Sequence, residues 1–597
     1  MSNKPRLINN ERRRRFLNCL RAHPWIGKYV EKHPRIHAFA NRFLINGAVN
    51  STIARPQAYT LWTGTPIDPN PSDFTPTTKL AYSQQQQILE LPYGETAAAS
   101  PPDPVVDYIT WAGLVDRRYT GRHLPPAPRS YSDRLPPLEK VLALYARKKN
   151  DGHEQPIHSA NCSALLAFFA QWFTDSFLRK DQKDQRLNTS NHEIDLCEIY
   201  GLDAQTARSL RTLHGGKLKT SHGGRFPARL YGADGKVSSE FNGLSYVKPY
   251  LGDKSLEDIT LGSLDVPDPE RDRRKPGLYA TGLERGNSTI LYTAISTIFI
   301  REHNRLCDEV LAPAHPDWDD DRLFETARNI NIVMLLHLTI NEYINQLAQP
   351  PIKLRLDRPW AEKEHWYRAN RIAIEFNLLY RWHSFVPDTI QVDGQLLDHT
   401  QLRFNNAVLE QYGAAAVIAA AARQPGGQVG MHNNPSYLWQ AEYAAHAFSR
   451  SQRVRPFVEY QAAFDWVPAR DFKDLTGDDD LARELSDLYN GEIRDVEFLV
   501  GLFAQKRTPP AVLPPVLNTM VAVDAFSQIL TNPLLAENVY GPDAFGEEGM
   551  QVIEQRTSFD QLMTRNLMGE AAPPNLASFA YPPIPRATID ARRDPRT

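Results

Sequence analysis

Residues 371–390, RIAIEFNLLYRWHSFVPDTI, contain the feature from which the fold and the function of this chain follow. Apolar residues surround Tyr380, and His383 follows three positions later. If the segment is helical, residues three apart lie on one face, so the phenol and the imidazole emerge together. Pro387 disfavours helix beyond the residue that precedes it. A histidine on an apolar helix is more often a hydrogen-bonded core residue than a metal ligand, so other segments must show what this pair does.

Length and composition narrow the class of protein. The 597 residues exceed what one ordinary core holds, so length alone allows several domains. Hydrophobic residues make up 42% and charged residues 23%, the profile of a globular protein. A formal net charge of -2 argues against a nucleic-acid binder held by a strong positive field. The four cysteines are scattered without a CxxC pair, which predicts reduced thiols and no zinc site.

Helical periodicity dominates the chain. Apolar residues recur at three- and four-residue spacing in the tracts 162–180, 288–311, 327–348 and 406–424. Strand signals are few and short, and 45 prolines favour long irregular connections. The sequence therefore predicts a mainly α architecture. Residues 61–106 are expected to form a surface connection, because 83–104 is rich in Gln, Ala and Pro.

Residues 1–60 are expected to form a separate helical segment. They contain a basic cluster, Arg12–Arg15, beside apolar and aromatic residues. Two interpretations stay open: interfacial helices that rest on lipid headgroups as a peripheral membrane contact, or helices that pack on the catalytic body with the arginines solvated. The chain has no apolar run of about 18 residues and no secretory signal region, which predicts a cytoplasmic protein without a transmembrane helix.

Three further segments carry polar groups on apolar helices. Gln171 and Asp175 lie four apart on one helical face, and 282–310 and 341–347 add charged and polar residues to other apolar tracts. Buried polar groups on separate helices need partners, and a shared cofactor would supply them. Spacing alone does not identify that cofactor.

Taken together, these tracts resemble the animal-type haem peroxidase superfamily in its fatty acid dioxygenase branch. That branch includes the cyclooxygenases, the plant α-dioxygenases and the peroxidase-like domain of fungal linoleate diol synthases. The specific matches are REHNRLCDEV at 301–310 and EFNLLYRWHSFVPD at 375–388, with further matches that begin near 40–50 and 107–126 and reach 545–555. The resemblance implies one large helical, cyclooxygenase-like catalytic domain over 107–597 that binds haem b.

The resemblance also implies roles for the opening pair. His383 would be the axial ligand of the haem iron. Tyr380 would become a tyrosyl radical that takes a hydrogen atom from a fatty acid, after which the carbon radical captures O2. Tyr343 matches the tyrosine that hydrogen-bonds the radical tyrosine in cyclooxygenases, and Ser527 matches their channel serine.

The distal side departs from the family pattern Gln-x-x-x-His. Here the two positions are Gln171 and Asp175. Three interpretations stay open. Asp175 is itself the acid–base group, or it is a weak substitute that suffices for occasional activation of Tyr380, or the site is catalytically inactive. Arg285 matches the distal arginine of peroxidases and α-dioxygenases, and its presence argues against a dead site. Calcium stays open, because the position that supplies an aspartate in calcium-binding relatives is Ser176.

The carboxylate-binding residue is not evident. In cyclooxygenases an arginine and a tyrosine bind the substrate carboxylate, and the corresponding positions here are Val49 and Pro350. The carboxylate-binding histidine of α-dioxygenases corresponds to Leu338, next to His337. The expected activity is haem-dependent dioxygenation of an unsaturated fatty acid with O2 to give a hydroperoxide, with weak peroxidase activity. Two alternatives remain: a peroxidase that acts on small reductants or halide, and a haem-binding protein of the same fold without turnover. No nucleic-acid partner is expected, and nothing predicts the oligomeric state.

Overall fold

The computed structural model describes residues 8–50 and 116–582, apart from positions 152, 182–183, 265, 358, 365, 368–369 and 572–576. The predicted connection 61–106 and the first residues of the predicted catalytic domain lie outside these ranges. Within them the mainly α architecture with few short strands is confirmed. No helix of the described ranges is long and apolar enough to cross a bilayer.

Twenty α-helices of six residues or more lie in the described ranges. They are α1 Ile8–Ala22, α2 Pro24–Lys32, α3 Pro34–Val49, α4 Leu138–Ala143, α5 Ala164–Thr174, α6 Ala204–Leu210, α7 Leu256–Gly262, α8 Asp268–Arg274, α9 Ile290–Arg305, α10 Asp320–Leu338, α11 Ile374–Leu379, α12 Asn406–Tyr412, α13 Ala414–Ala422, α14 Trp439–Ser451, α15 Phe457–Ala463, α16 Asp479–Leu488, α17 Phe498–Ala504, α18 Pro515–Leu530, α19 Pro542–Glu554 and α20 Phe559–Arg565.

The strands of the described ranges form five antiparallel pairs of two strands each. They are β1 Lys149–Asn150 with β2 His153–Glu154, β3 His158–Ser163 with β10 Pro425–Gly427, β4 Thr220–Ser221 with β5 Phe226–Pro227, β6 Pro249–Leu251 with β7 Lys254–Ser255, and β8 Thr389–Val392 with β9 Gln395–Asp398. Such short pairs hold neighbouring loop segments together but form no sheet that serves as a structural layer of the fold.

The core centres on helices α5, α9 and α13, which pack on one another. All sixteen residues of α9 except its last two are buried. A helix that is buried on all sides in this way lies in the interior of a large domain. The side chain of Thr289 caps its N-terminus by accepting a hydrogen bond from the Tyr292 amide. The tract 288–311 then continues from α9 into the π-helical turn Leu306–Leu311.

The tract 406–424 forms two helices rather than one. Gly413 separates α12 from α13 with φ +86°, a left-handed conformation that glycine adopts without steric strain. Periodicity did not reveal this break, because apolar residues flank the glycine on both sides.

The opening stretch is not helical across Tyr380 and His383. Helix α11 ends at Leu379, Tyr380 has φ -99° and ψ 29°, and His383–Phe385 form a separate 3-10 turn. The two side chains therefore do not lie on one face of a continuous helix. A turn sets their relative positions instead.

Helix α3 is anchored to the body by hydrogen bonds to residues 353–355. The ring of His37 lies 2.7 Å from the Lys353 carbonyl oxygen, and the Asn41 amide donates to the Arg355 carbonyl at 2.7 Å. Buried residues of α3 such as Leu44 join the main hydrophobic core. The N-terminal segment therefore packs on the body.

Candidate functional site

His383 sits in the turn after α11 with its two ring nitrogens in different surroundings. Nδ1 lies 2.6 Å from Oε2 of Glu442 on α14. Nε2 makes no hydrogen bond to a residue that the structure describes, and the side chain is 14% exposed. Burial alone would raise the pKa of Glu442, but the adjacent His383 and His446 lower it to about 2. The tautomer with hydrogen on Nδ1 leaves the Nε2 lone pair available to a metal.

Tyr380 lies in an aromatic environment. Its ring stacks on Trp382 at 4.7 Å between centroids and meets the edge of Phe376 at 5.5 Å. Its hydroxyl is buried and approaches that of Tyr343, without a hydrogen bond of standard geometry between them. Burial raises the pKa of both phenols, so both stay protonated near neutral pH.

Tyr343 connects this pair to α5. It lies in the π-helical turn Thr339–Ile344 that continues α10, and it is fully buried. Its ring lies 5.4 Å from Phe169 and 5.6 Å from Phe173 on α5. The structure therefore brings Tyr380, Tyr343 and the helix that carries Gln171 and Asp175 into one neighbourhood.

Gln171 and Asp175 occupy the open side of α5. Gln171 is the one exposed residue of this helix, whose other residues are all buried. Asp175 follows at the C-cap, and its Oδ1 accepts a hydrogen bond of 3.0 Å from Arg285. Its Oδ2 is buried without a partner in the described ranges. Burial raises the pKa of Asp175 even though Arg285 opposes that shift.

Arg285 reaches Asp175 from the 3-10 turn Glu284–Asn287. The next residue back, Glu284, is held by both of its oxygens at 2.9 Å from Arg179. The Arg285 side chain is 49% exposed, so it borders solvent-accessible space beside Asp175, which is called the cleft below. Two of the predicted distal residues, Asp175 and Arg285, are thus in contact.

Two cations that the sequence reasoning missed line the same cleft. Lys180 lies 4.7 Å above the Phe448 ring, and its ammonium makes no hydrogen bond to a described residue. Burial, together with Arg381 and Arg285, lowers the pKa of Lys180 to about 7. Arg381 contacts Asn377 and is electrostatically coupled to both Asp175 and Glu442. Arg381 lies within the tract 375–388 that carries the family resemblance, but the sequence assigns neither cation a role, and their proximity to Arg285 is evident only in the fold.

These residues fit a haem. A haem would need a donor to its iron, which the Nε2 atom of His383 could supply, and open space near that atom. Gln171 and Arg285 border solvent-accessible space on the Asp175 side. Its two propionates need cations without carboxylate partners, and Lys180 and Arg381 have none in the described part of the chain. Glu442, Lys180 and Arg381 belong with the candidate site.

Ser527 and His337 have no demonstrated contact with this cleft. The Ser527 hydroxyl donates to the Val523 carbonyl of its own helix at 2.8 Å. His337 is 5% exposed, and both ring nitrogens lack a partner among the described residues. Ser176 donates to the Phe173 carbonyl at 2.8 Å. Across the described ranges, no cluster of three or more His, Cys, Asp or Glu side chains could hold a metal ion.

Known proteins are similar to this chain in sequence and in structure. A family model described as animal haem peroxidase matches residues 146–577. Prostaglandin G/H synthase 1 of Mus musculus is 32% identical over 460 residues, which cover 75% of this chain and 71% of the relative. Prostaglandin G/H synthase 2 of Bos taurus is 31% identical over 488 residues, with 79% and 74% covered.

Solved structures share the fold at lower identity. The fatty acid alpha-dioxygenase of Oryza sativa superposes with a TM-score of 0.61 at 15% identity and covers 92% of this chain and 98% of its own. Peroxidase A from Dictyostelium discoideum gives a TM-score of 0.57 at 16% identity, with 76% and 94% covered. At these identities the likeness concerns the fold alone.

Proposed function

Because this chain belongs to the animal haem peroxidase family, we propose that it is a haem-dependent fatty acid dioxygenase whose radical carrier is Tyr380. The observation that carries the proposal is the position of Tyr380: its buried hydroxyl faces Tyr343, and it lies three residues from His383. The named activities of the relatives, prostaglandin synthesis and fatty acid alpha-dioxygenation, point to the same substrate class.

Each part of the cleft has a role toward the cofactor. His383 would hold the iron of haem b through Nε2, and Lys180 and Arg381 would pair with its propionates. When bound and activated by a peroxide, haem supplies a one-electron oxidant. Asp175 holds and returns a proton at its Oδ2 atom, while Arg285 stabilises negative charge on the departing peroxide oxygen.

Tyr380 then performs the reaction on the lipid. Its phenol would give an electron and its proton together to the oxidised haem group, because burial disfavours a free phenolate. The phenoxyl oxygen takes a hydrogen atom from the fatty acid chain, so an O–H bond forms as a C–H bond breaks. O2 adds to the carbon radical, and the peroxyl radical recovers a hydrogen atom from Tyr380 to give a hydroperoxide. Tyr343 positions the phenol and stabilises its radical.

Oxygen uptake by Tyr380→Phe tests this proposal. The substitution keeps shape and apolar packing, so haem binding should survive while fatty acid oxygenation disappears. The measurement is oxygen consumption with oleate, linoleate and a saturated acid at matched haem content. The control is Tyr131→Phe, which removes a buried hydroxyl that donates to the Asp495 carbonyl at 3.3 Å. Equal uptake by wild type and Tyr380→Phe contradicts the tyrosyl mechanism.

A peroxidase that acts on small reductants is the second candidate. The half-exposed Arg285 beside Asp175 favours it, because these groups suffice for peroxide cleavage without a lipid channel. Peroxide-dependent dye oxidation without oxygen uptake would support this candidate. Absence of both activities in haem-loaded protein would indicate a haem-binding protein without turnover.

Peripheral membrane contact through α2 and α3 is part of the proposal. The body holds one side of these helices, while Trp25, Tyr29, Ile36 and Phe39 are exposed by 67%, 51%, 41% and 76%. Clustered exposed aromatic residues on helices are typical of lipid-facing surfaces. A fatty acid dioxygenase gains from such a surface, because its substrate partitions into bilayers.

Vesicle co-sedimentation tests this contact. Wild-type protein should sediment with phosphatidylcholine–phosphatidylserine vesicles, and Trp25→Ser combined with Phe39→Ser should remain in the supernatant. Val467→Ser, at a position that is 85% exposed outside these helices, is the matched control. Equal sedimentation of the double variant and the control would exclude α2 and α3 as the lipid surface.

A further inference from the structure

We propose that Glu442 is a positioning residue that sets the reduction potential of the haem by holding negative charge against His383. The proposal rests on the ligation of haem by His383, which belongs to the proposed function. Glu442 comes from α14, a different element from the one that carries His383, and their side chains meet at 2.6 Å between Oε2 and Nδ1. The Glu442 side chain is fully buried.

This contact defines the hydrogen-bonding state of His383. Nδ1 donates to the carboxylate, so Nε2 presents its lone pair away from α14. A carboxylate partner of this kind orients a ligating imidazole and increases its basicity. The 2.6 Å distance is in the range of charge-assisted hydrogen bonds.

The negative charge of Glu442 has few other partners. Asn434 donates to the same Oε2 at 2.6 Å, and Nε2 of His446 lies 3.2 Å from Oε1. Within the described residues, no lysine or arginine lies within ion-pair distance of Glu442. Arg381 supplies only a longer-range attraction. A buried carboxylate without a cationic partner acts most strongly on the group it contacts, which is His383.

The carboxylate of Glu442 affects the Fe(III)/Fe(II) potential in one direction. A more basic imidazole donates more electron density to iron and stabilises Fe(III) relative to Fe(II). Glu442 therefore lowers the Fe(III)/Fe(II) potential. An enzyme that must keep its haem in oxidised states, ready to take an electron from Tyr380, benefits from this shift.

Spectroelectrochemical titration of haem-loaded Glu442→Gln tests the inference. The amide keeps size and an acceptor oxygen but removes the charge. We expect a higher potential, with the Fe(III)/Fe(II) ratio at fixed applied potential at least tenfold lower than in wild type, which for one electron is about 59 mV. The control is Glu484→Gln, which neutralises a carboxylate 2.8 Å from Nε2 of His432, a histidine outside the cleft. A ratio unchanged in Glu442→Gln, or changed equally in Glu484→Gln, overturns the proposal.

His446→Leu provides an independent test of opposite sign. Removal of this second partner of Glu442 leaves more negative charge on His383, so the potential should fall. If Glu442→Gln does not load haem, His446→Leu decides the question, and an unchanged or higher potential refutes the role of Glu442. Failure of the proposed ligation is distinguishable, because His383→Ala would then keep the wild-type haem spectrum.

Discussion

His383 and Asp175 show how much a single residue depends on its neighbours. The imidazole would be an ordinary core histidine if both nitrogens were bonded to protein, but only Nδ1 is engaged by Glu442. Asp175 likewise has one oxygen on Arg285 and the other buried without a described partner. Incomplete pairing of buried polar atoms is destabilising, so a bound group that completes it is stabilised in turn.

The first residue-scale prediction concerns His383. Replacement by Ala should abolish the Soret band or shift it strongly and remove all activity, because the imidazole proposed to ligate the iron is lost. Absorption spectra of haem-titrated protein measure the effect. His432→Ala, which removes an imidazole paired to Glu484, should bind haem as wild type does. An unchanged spectrum in His383→Ala would exclude the axial role.

The second residue-scale prediction concerns Asp175. A carboxylate paired to Arg285 is a weaker proton shuttle than a neutral imidazole, so wild-type protein should turn over peroxide slowly with ordinary electron donors. Asp175→His should raise peroxide-driven dye oxidation, on the order of tenfold or more if it restores general acid–base catalysis. Turnover of wild type at the level of a competent peroxidase would show that Asp175 is no handicap.

At the scale of elements, the turn that carries Arg285 depends on a close backbone approach. Gly282 packs against the short helix Cys197–Tyr200, and a Cβ there would lie 1.9 Å from the Cys197 carbonyl oxygen and 2.5 Å from the Gly201 nitrogen. Both contacts are backbone atoms that cannot move aside as a side chain would. The glycine therefore holds the distal turn in place.

Gly282→Ala should destabilise the protein and displace Arg285 from Asp175. Overpacking of this kind lowers the free energy of unfolding by about 1–3 kcal/mol or more. Urea unfolding and peroxide turnover measure the two effects. Gly262→Ala is the matched control, because a Cβ at that helical position meets no atom within 4 Å. Equal stability of the two variants would show that the backbone relaxes without loss.

At the scale of the whole molecule, buried histidines make the fold sensitive to acid. Burial lowers the pKa of His192, His303 and His337 to about 4 each, from an ordinary value of 6.5. Between pH 6.5 and 4 the unfolded chain therefore binds more protons than the folded chain. The free energy of unfolding should fall as pH falls through this window.

His337→Leu removes one of these three histidines, so the free energy of unfolding should fall less steeply as pH falls. A shift from 6.5 to about 4 corresponds to on the order of 3 kcal/mol per fully buried histidine once pH is below 4. Urea unfolding at pH 4.5, 5.5 and 7 measures it. A slope identical to that of wild type would mean that His337 is protonated in the folded protein.

The fold class and the family could be predicted from the sequence alone, and Tyr380, His383 and Asp175 stay predicted site residues. These depend on local patterns: apolar periodicity predicted α5, α9 and α10, and the tract around His383 identified the family. Local patterns also misled, since α11 ends before Tyr380 and Gly413 divides the alanine-rich tract. Helix ends depend on backbone conformations that hydrophobic periodicity does not encode.

The packing of separate elements was needed to see which groups surround the predicted residues. Glu442 lies 59 positions after His383, and no spacing in the sequence links the two, because their contact arises when separate elements pack. The family pattern marked Arg285, but only the fold showed its contact with Asp175, 110 positions earlier. Lys180 and Arg381 became candidates for the same reason: their charges matter only because the fold turns both toward one cleft. Chemistry that one residue carries is visible in a sequence, whereas chemistry shared between distant residues requires the fold that brings them together.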